Sequence, residues 1–303
     1  MSHALLLVPD FLLILCGFAL CRWTSLGRSV WDGVEKLVYY VLFPVLLFNS
    51  ILKSPLQPGA TVHLALAGVG VVACGVALAY ALKRWPGVDA QLHASGAQTA
   101  FRFNSFIALA LAERLGGPQG LAWVALLIAL CVPLCNVAAV WPLARHGGHG
   151  YGREIARNPL ILSTAAGLIA NLAGLHWPDA VAAALQRIGL AALPLGLMAV
   201  GAGLKFGGLK AAPALAAALL GIRHGLLPLL AIGLCVGLAL PAAQGLILVL
   251  FAALPTAPSA YVLAVRMGGQ GAFVAGLVTL STLLCALSLP LWLAVLAATR
   301  PSG

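Results

Sequence analysis

Charge is what this chain has least of. Asp, Glu, Lys and Arg together make 8% of its 303 residues, where a soluble globular domain carries about a quarter. A chain so poor in charge and 62% hydrophobic cannot cover a soluble surface, and it reads as an all-α polytopic membrane protein. Acidic residues are the scarcest, seven in all: Asp10, Asp32, Glu35, Asp89, Glu113, Glu154 and Asp179. Each falls in a loop or towards the end of an apolar segment, which leaves no obvious buried proton carrier. No HExxH or GxSxG signature and no intramembrane aspartate pair occurs, so an enzyme is not expected and no catalytic residue is named. The seven cysteines, an odd number, lie mostly inside apolar runs. Cys131 and Cys135 share a helix face but make no ligand set alone, so the cysteines read as packing residues, with no metal and no cofactor expected. The net charge of +10 does not gather with aromatics as a nucleic-acid surface requires. Nucleic acid is therefore excluded as an expected partner, and the lipid bilayer takes its place.

What the chain does have is apolar length. A membrane span takes about 20 mainly apolar residues, and ten segments qualify: 4–21, 34–52, 61–82, 96–115, 119–143, 158–176, 181–204, 211–239, 242–267 and 271–297. The first has no basic stretch before it and no clear cleavage pattern, so it is expected to be a retained span and not a signal peptide. Connections are short, and the longest, 145–157 (RHGGHGYGREIAR), is Gly-rich, basic and halfway along. With the N-terminus outside, eleven Lys and Arg fall on inner loops and span ends against four on the outer side. The positive-inside rule then places both termini outside, in the periplasm of an inner (plasma) membrane.

The two halves repeat each other. Pro9, Gly17 and Pro44 fall opposite Pro159, Gly167 and Pro194 at an offset of 150. Arg114, Gly116 and Gly117 match Arg266, Gly268 and Gly269 at 152, and Gln119, Gly120 and Trp141 match Gln270, Gly271 and Trp292 at 151. Five spans per half is an odd number, so the second copy enters from the opposite side. The expectation is ten transmembrane helices in two inverted five-helix repeats, 1–145 and 158–303, joined by a cytoplasmic linker at 146–157.

Two spans in corresponding places are interrupted. The fourth carries Gln98, Thr99, Arg102, Asn104 and Ser105 in its first half, although Arg at a helix centre costs about 2.5–3.5 kcal/mol on insertion scales. The ninth contains Pro255 and Pro258, which each remove a backbone donor, so it should unwind there. At an offset of 152, residues 102–106 fall opposite 254–258. Asn104 and Ser105 are suited to bond backbone groups freed by a break. If the breaks meet, they form a small polar chamber in which helix N-termini favour an anion. Arg102 has two readings: a planar clamp for a carboxylate, or a snorkelling side chain that bonds backbone carbonyls. Asn49, just over a turn beyond Pro44, either faces the chamber or makes a helix-packing bond. Asn136 and Asn171 read as packing residues. Arg223 and His224, inside the eighth segment, are expected at a membrane interface through tilt or an early helix end.

RFNSFIALALAERLGG, NPLILSTAAGL, LPLGLMAVGAGL and the run from ALPTAPSAYVLAVRMGG to VTLSTLLCALSLPLWLAVL together resemble the auxin efflux carrier family of permeases in its bacterial form. The resemblance covers nearly the whole chain. It implies a fold similar to the bile acid sodium symporters, with a scaffold domain, a transport domain, and crossing broken helices 4 and 9 in the latter. It also implies elevator-like movement of the crossing-helix domain. The family's crossing asparagine and prolines carry over to Asn104 and to Pro255 and Pro258. Plant members carry an asparagine in the second crossing helix as well; here that region reads Pro255, Thr256, Ala257, Pro258 and Ser259, which argues against an auxin-like substrate. Bacterial relatives are often assigned to malate, malonate or other organic acids.

The expected function is a secondary transporter of a small organic anion, facilitated and sensitive to membrane potential. The alternatives are a proton- or sodium-coupled symporter, or a sensor or interaction subunit that keeps the carrier fold. The expected substrate-binding residues are Arg102, Asn104, Ser105, Pro255, Thr256, Pro258, Ser259 and Asn49. A second copy of the chain is the candidate protein partner.

Overall fold

The computed structural model describes residues 3–53, 58–144, 159–204 and 208–299. The linker expected at 146–157, with His146 and His149, lies outside the described residues. Among those described, helix is the only extended regular structure, and one isolated antiparallel bridge joins Phe103 to Thr256. An apolar chain without water to serve its N–H and C=O groups has to close its hydrogen bonds within helices. In the first half these are α1 (His3–Trp23), α2 (Arg28–Leu37), α3 (Phe43–Lys53), α4 (Pro58–Ala81), α5 (Ala90–Gly96) and α6 (Ser105–Ala144). In the second half they are α7 (Pro159–Leu172), α8 (Asp179–Ala202), α9 (Pro213–Gly221), α10 (Leu227–Gly237), α11 (Ala242–Ala253), α12 (Ser259–Arg266) and α13 (Gly271–Thr299). Five stretches, Thr61–Arg84, Ser105–Leu143, Asp179–Ala202, Pro213–Gly237 and Gly271–Thr299, are long and apolar enough to cross a membrane, with shorter apolar helices beside them. The chain is a multi-pass membrane protein.

The chain packs as two compact units, each taking elements from both halves. The first holds α1, α2, α3, the stretch Phe106–Ala129 of α6, α7 and α8. Its closest contact is between α1 and α8, where a Cβ at Gly17 would lie 1.9 Å from the Met198 carbonyl oxygen and one at Gly201 would lie 1.7 Å from that of Ile14. Only glycine lets two backbones approach so closely, the usual device for packing helices without a hydrophobic driving force between them. Asn171 on α7 donates from Nδ2 to the Leu52 carbonyl on α3 at 2.9 Å, the helix-packing bond expected of it. Arg28 opens α2 in an ion-pair cluster with Asp32 (2.9 Å) and Glu35 (2.7 Å).

The second unit holds most of α4, α5, the last part of α6 from Leu130, and α9 to α13. A π-helical turn, Ile222–Leu226, joins α9 to α10, and Pro228 follows it. Proline has no N–H for the carbonyl four residues back, which leaves the His224 carbonyl free; the Trp292 indole fills the vacancy, donating from Nε1 at 2.6 Å. The Tyr80 hydroxyl likewise donates to the Ala138 carbonyl, joining α4 to α6.

Two expectations need correcting here. The fourth segment does not begin at 96: α5 starts at Ala90, capped by Asp89, whose carboxylate accepts from the Leu92 N–H at 2.7 Å. A short polar side chain before a helix satisfies one of its unpaired N–H groups, and that signal lies in the sequence. Arg223 and His224 are not interfacial, being only 2% and 9% exposed. The π turn directs both side chains inward, where they find polar partners.

Candidate functional site

In the second unit, two helices come apart close to each other. The first break follows α5: a 3-10 turn, Ala97–Ala100, leads to residues 101–104, which lie outside any helix, before α6 starts at Ser105. Local polar side chains open it. Thr99 donates from its hydroxyl to the Gly96 carbonyl at 2.7 Å, and Gln98 donates from Nε2 to the Ser95 carbonyl at 3.1 Å. Such bonds offer the backbone an alternative to the helical ladder. The second break, between α11 and α12, spans residues 254–258, and its prolines open it by removing donors.

The two breaks are bonded to one another. Asn104 donates its backbone N–H to the Pro255 carbonyl at 2.9 Å, within the bridge between Phe103 and Thr256. The Thr256 hydroxyl donates to the Thr99 carbonyl at 2.7 Å. Phe103 and Phe251 pack beside the bridge with ring centroids 4.5 Å apart and their planes tilted by 60°. Each break thus supplies partners that the other lost. Buried backbone polar groups are rarely left unbonded, and Asn104 and Thr256 are 1% and 0% exposed.

Three further carbonyls at the second break find side-chain partners. In an uninterrupted helix, Pro255 and Pro258 would occupy the positions whose N–H groups serve the carbonyls of Phe251 and Leu254. Neither can, and the Arg223 guanidinium bonds both, from Nη2 to Phe251 at 3.3 Å and from Nε to Leu254 at 2.5 Å. Cys285 approaches the Ala253 carbonyl at 3.6 Å. The Thr256 N–H donates to Ser281 Oγ at 2.9 Å, and Ser281 Oγ lies 2.8 Å from His224 Nε2, whose Nδ1 lies 3.0 Å from Ser288 Oγ. Residues 223, 224 and 281 are therefore part of the support for the break, and a motif reading did not find them. Their only sequence signal is polarity in the middle of apolar spans.

Of the expected ligand-binding residues, Arg102 and Ser259 are joined directly, with Arg102 Nη2 donating to Ser259 Oγ at 3.1 Å. Gln98 Oε1 accepts from Arg102 Nη1 at 3.5 Å. Arg102 is half-buried and Ser259 exposed, so the guanidinium, held by an amide and a hydroxyl, stands at the border of the crossing. Ser105 and Ser259 are the first residues of α6 and α12, which brings two helix N-termini to the crossing along with Arg102. Pro255 and Thr256 lie within it, and Pro258 forms the turn before α12. All these bonds lie within the second unit; Asn49 belongs to the first, half-buried on α3. Elsewhere in the second unit, a cavity of ≈ 530 Å³ has a wall formed almost wholly by apolar residues such as Pro213, Leu220 and Leu284. The polar side chain in its lining is His224, whose ring nitrogens face Ser288 and Ser281. Among the described residues, no cluster of His, Cys, Asp and Glu could hold a metal ion.

Helices of membrane-spanning length, with two breaks, at 101–104 and 254–258, paired inside one compact unit, describe a membrane transporter more readily than an enzyme. Residues 149–293 match the family model described as membrane transport protein. An uncharacterized transporter of Methanothermobacter thermautotrophicus is 28% identical over 293 residues, which cover 94% of this chain and 95% of that protein. A Rhizobium meliloti protein, named as a candidate malonate transporter, is 26% identical over 293 residues, covering 92% of this chain and 91% of that one. The chain is similar to this family of membrane transport proteins along its second half and to these two transporters over nearly its whole length, in keeping with the resemblance drawn from its motifs.

Proposed function

We propose that the protein is a secondary transporter of a small organic anion, with its site where the two breaks cross. The observation that carries this reading is the convergence of the Arg102 guanidinium with the start of α12 at Ser259, beside the bridge that joins Phe103 to Thr256. A guanidinium and helix N-termini both favour negative charge. Arg102 and Ser259 are the groups that touch the carboxylate, with Ser105 at the mouth of α6. The Asn104 side chain is a further ligand group, and Pro255, Thr256 and Pro258 hold the chamber's shape. The name of the Rhizobium relative makes a short dicarboxylate such as malonate the first probe.

Transport proceeds by elevator-like displacement of the unit that carries the crossing. The ten-span, inverted-repeat organisation, with repeats 1–145 and 158–303 about a linker at 146–157, is supported by matching features in the two halves. A break at 101–104 recurs at 254–258, and a left-handed glycine follows each, Gly117 (φ 58°) and Gly268 (φ 69°), one residue out of register with the offset of 152. Gly117 interrupts α6 between the segments expected at 96–115 and 119–143. The basic-residue count supports an inner-membrane orientation with both termini outside. A second copy of the chain is the assembly to test, by light scattering of the detergent-solubilised protein.

Uptake of labelled malonate by proteoliposomes under an imposed membrane potential tests the function. Flux that follows the potential with no proton or sodium gradient is expected. Flux that needs such a gradient and ignores the potential favours the coupled symporter, and binding without flux favours a sensor that keeps the carrier fold.

A further inference from the structure

In broken transporter helices, the carbonyls at the C-terminal end of a half-helix and in the unwound segment are where a coupling cation is usually held. Here two of those carbonyls are already held by a protein cation. The guanidinium of Arg223, 2% exposed, bonds the carbonyls of Phe251 and Leu254, the two groups deprived of donors by Pro255 and Pro258. Among the described residues Arg223 makes no ion pair. Its positive charge thus faces the negative end of α11, where a cation is favoured.

We propose that Arg223 is a built-in cation that takes the place of a dissociable coupling ion at the second break, so that neither sodium nor another metal cation is needed to close the crossing. Arg223 is a positioning residue: it acts through the backbone of 251–254 and not on the transported anion. The geometry explains why two prolines are tolerated in succession. A flexible ammonium would supply a charge, but the planar guanidinium spans two carbonyls three residues apart with separate nitrogens. The idea rests on the crossing being the transport site for its effect on flux, but not for its effect on the fold of the break.

The experiment compares purified wild type with Arg223→Ala and Arg223→Lys, each checked for a monodisperse gel-filtration profile. Thermal stability and malonate uptake are measured in sodium, choline and low-millimolar guanidinium chloride. Wild type is expected to be indifferent to exchange of sodium for choline in both measurements. Arg223→Ala is expected to lose uptake by about ten-fold or more, since two charge-assisted bonds are lost, and guanidinium should restore both its stability and its flux in part. Arg223→Lys should fall between the two. If Arg223→Ala is too unstable to purify, Arg223→Lys alone carries the test, with guanidinium raising its melting temperature. A sodium requirement in wild type, or a well-folded Arg223→Ala that guanidinium leaves unchanged, overturns the proposal. Guanidinium rescue of stability without malonate flux in any variant keeps the built-in cation and refutes the substrate reading alone.

Discussion

The two breaks in the second unit reach similar geometry by different means. The first, at 101–104, contains no proline and is opened by Gln98 and Thr99 bonding back to their own helix; its arginine, Arg102, bonds side chains and stands half-buried. The second, at 254–258, is opened by two prolines; its arginine, Arg223, is buried on backbone carbonyls. Two guanidiniums beside two broken helices therefore divide the work. Arg223 balances the local charge of a half-helix C-terminus, and Arg102 stands at the first residue of α12, bonded to Ser259. The difference shows that intramembrane arginine alone does not identify a ligand group; what the guanidinium bonds decides the role.

Removing the proline device is the most severe way to break this comparison. With Pro255→Ala and Pro258→Ala together, the carbonyls of Phe251 and Leu254 regain N–H donors and α11 can run on into α12. Alanine lifts the block that proline sets on a helix, so the double variant should be helical at this point and inactive in malonate uptake. Its heat stability should be lowered, because the buried Arg223 loses the two carbonyls it bonds. Wild-type flux in that variant would mean that the break is dispensable. Second in size is Arg102→Ala, which should bind the dicarboxylate about ten-fold or more weakly, because a hydrogen bond to a charged group is worth about 1.5–3 kcal/mol. Its melting temperature should stay near that of wild type, in contrast to Arg223→Ala, as calorimetry of both variants would check.

A smaller effect is expected from the tie between the breaks. Thr256→Val keeps the shape but leaves the Thr99 carbonyl without the 2.7 Å bond; a buried group so deprived costs about 1–3 kcal/mol, readable as a lower unfolding temperature. Least of all, Cys135→Ala removes a thiol that approaches the Phe101 carbonyl at 3.5 Å. Such weak bonds contribute about 1 kcal/mol or less, and a larger loss in the same thermal assay would show that the first break depends on the thiol more than its geometry suggests.

How much of this was legible in the chain follows from the physics of each signal. Pro255 and Pro258 announce their break, because a missing donor is a property of the residue itself. The polar run Gln98 to Ser105 marks the first break, and apolar length with few charges marks the membrane. Pairing between the breaks was anticipated from the repeat, but its details were not, since the bond from Asn104 to Pro255 is made by backbone atoms that every residue has. Arg223 and His224 were misplaced for a related reason. Hydropathy averages over a helix, whereas the π turn at Ile222–Leu226 rotates two polar side chains into the unit. The signal available was indirect: Pro228 frees the His224 carbonyl, and Trp292 lies along α13 to receive it.

The central claim, that the crossing of the breaks is the anion site, is tested most directly by equilibrium binding of malonate to purified wild type and Asn104→Ala. Asn104 bonds the second break through its backbone, so the substitution alters only the side chain at the crossing. The account predicts a well-folded variant with affinity lowered about ten-fold or more, as loss of a buried hydrogen-bonding group entails. Wild-type affinity and flux in a well-folded Asn104→Ala would contradict it.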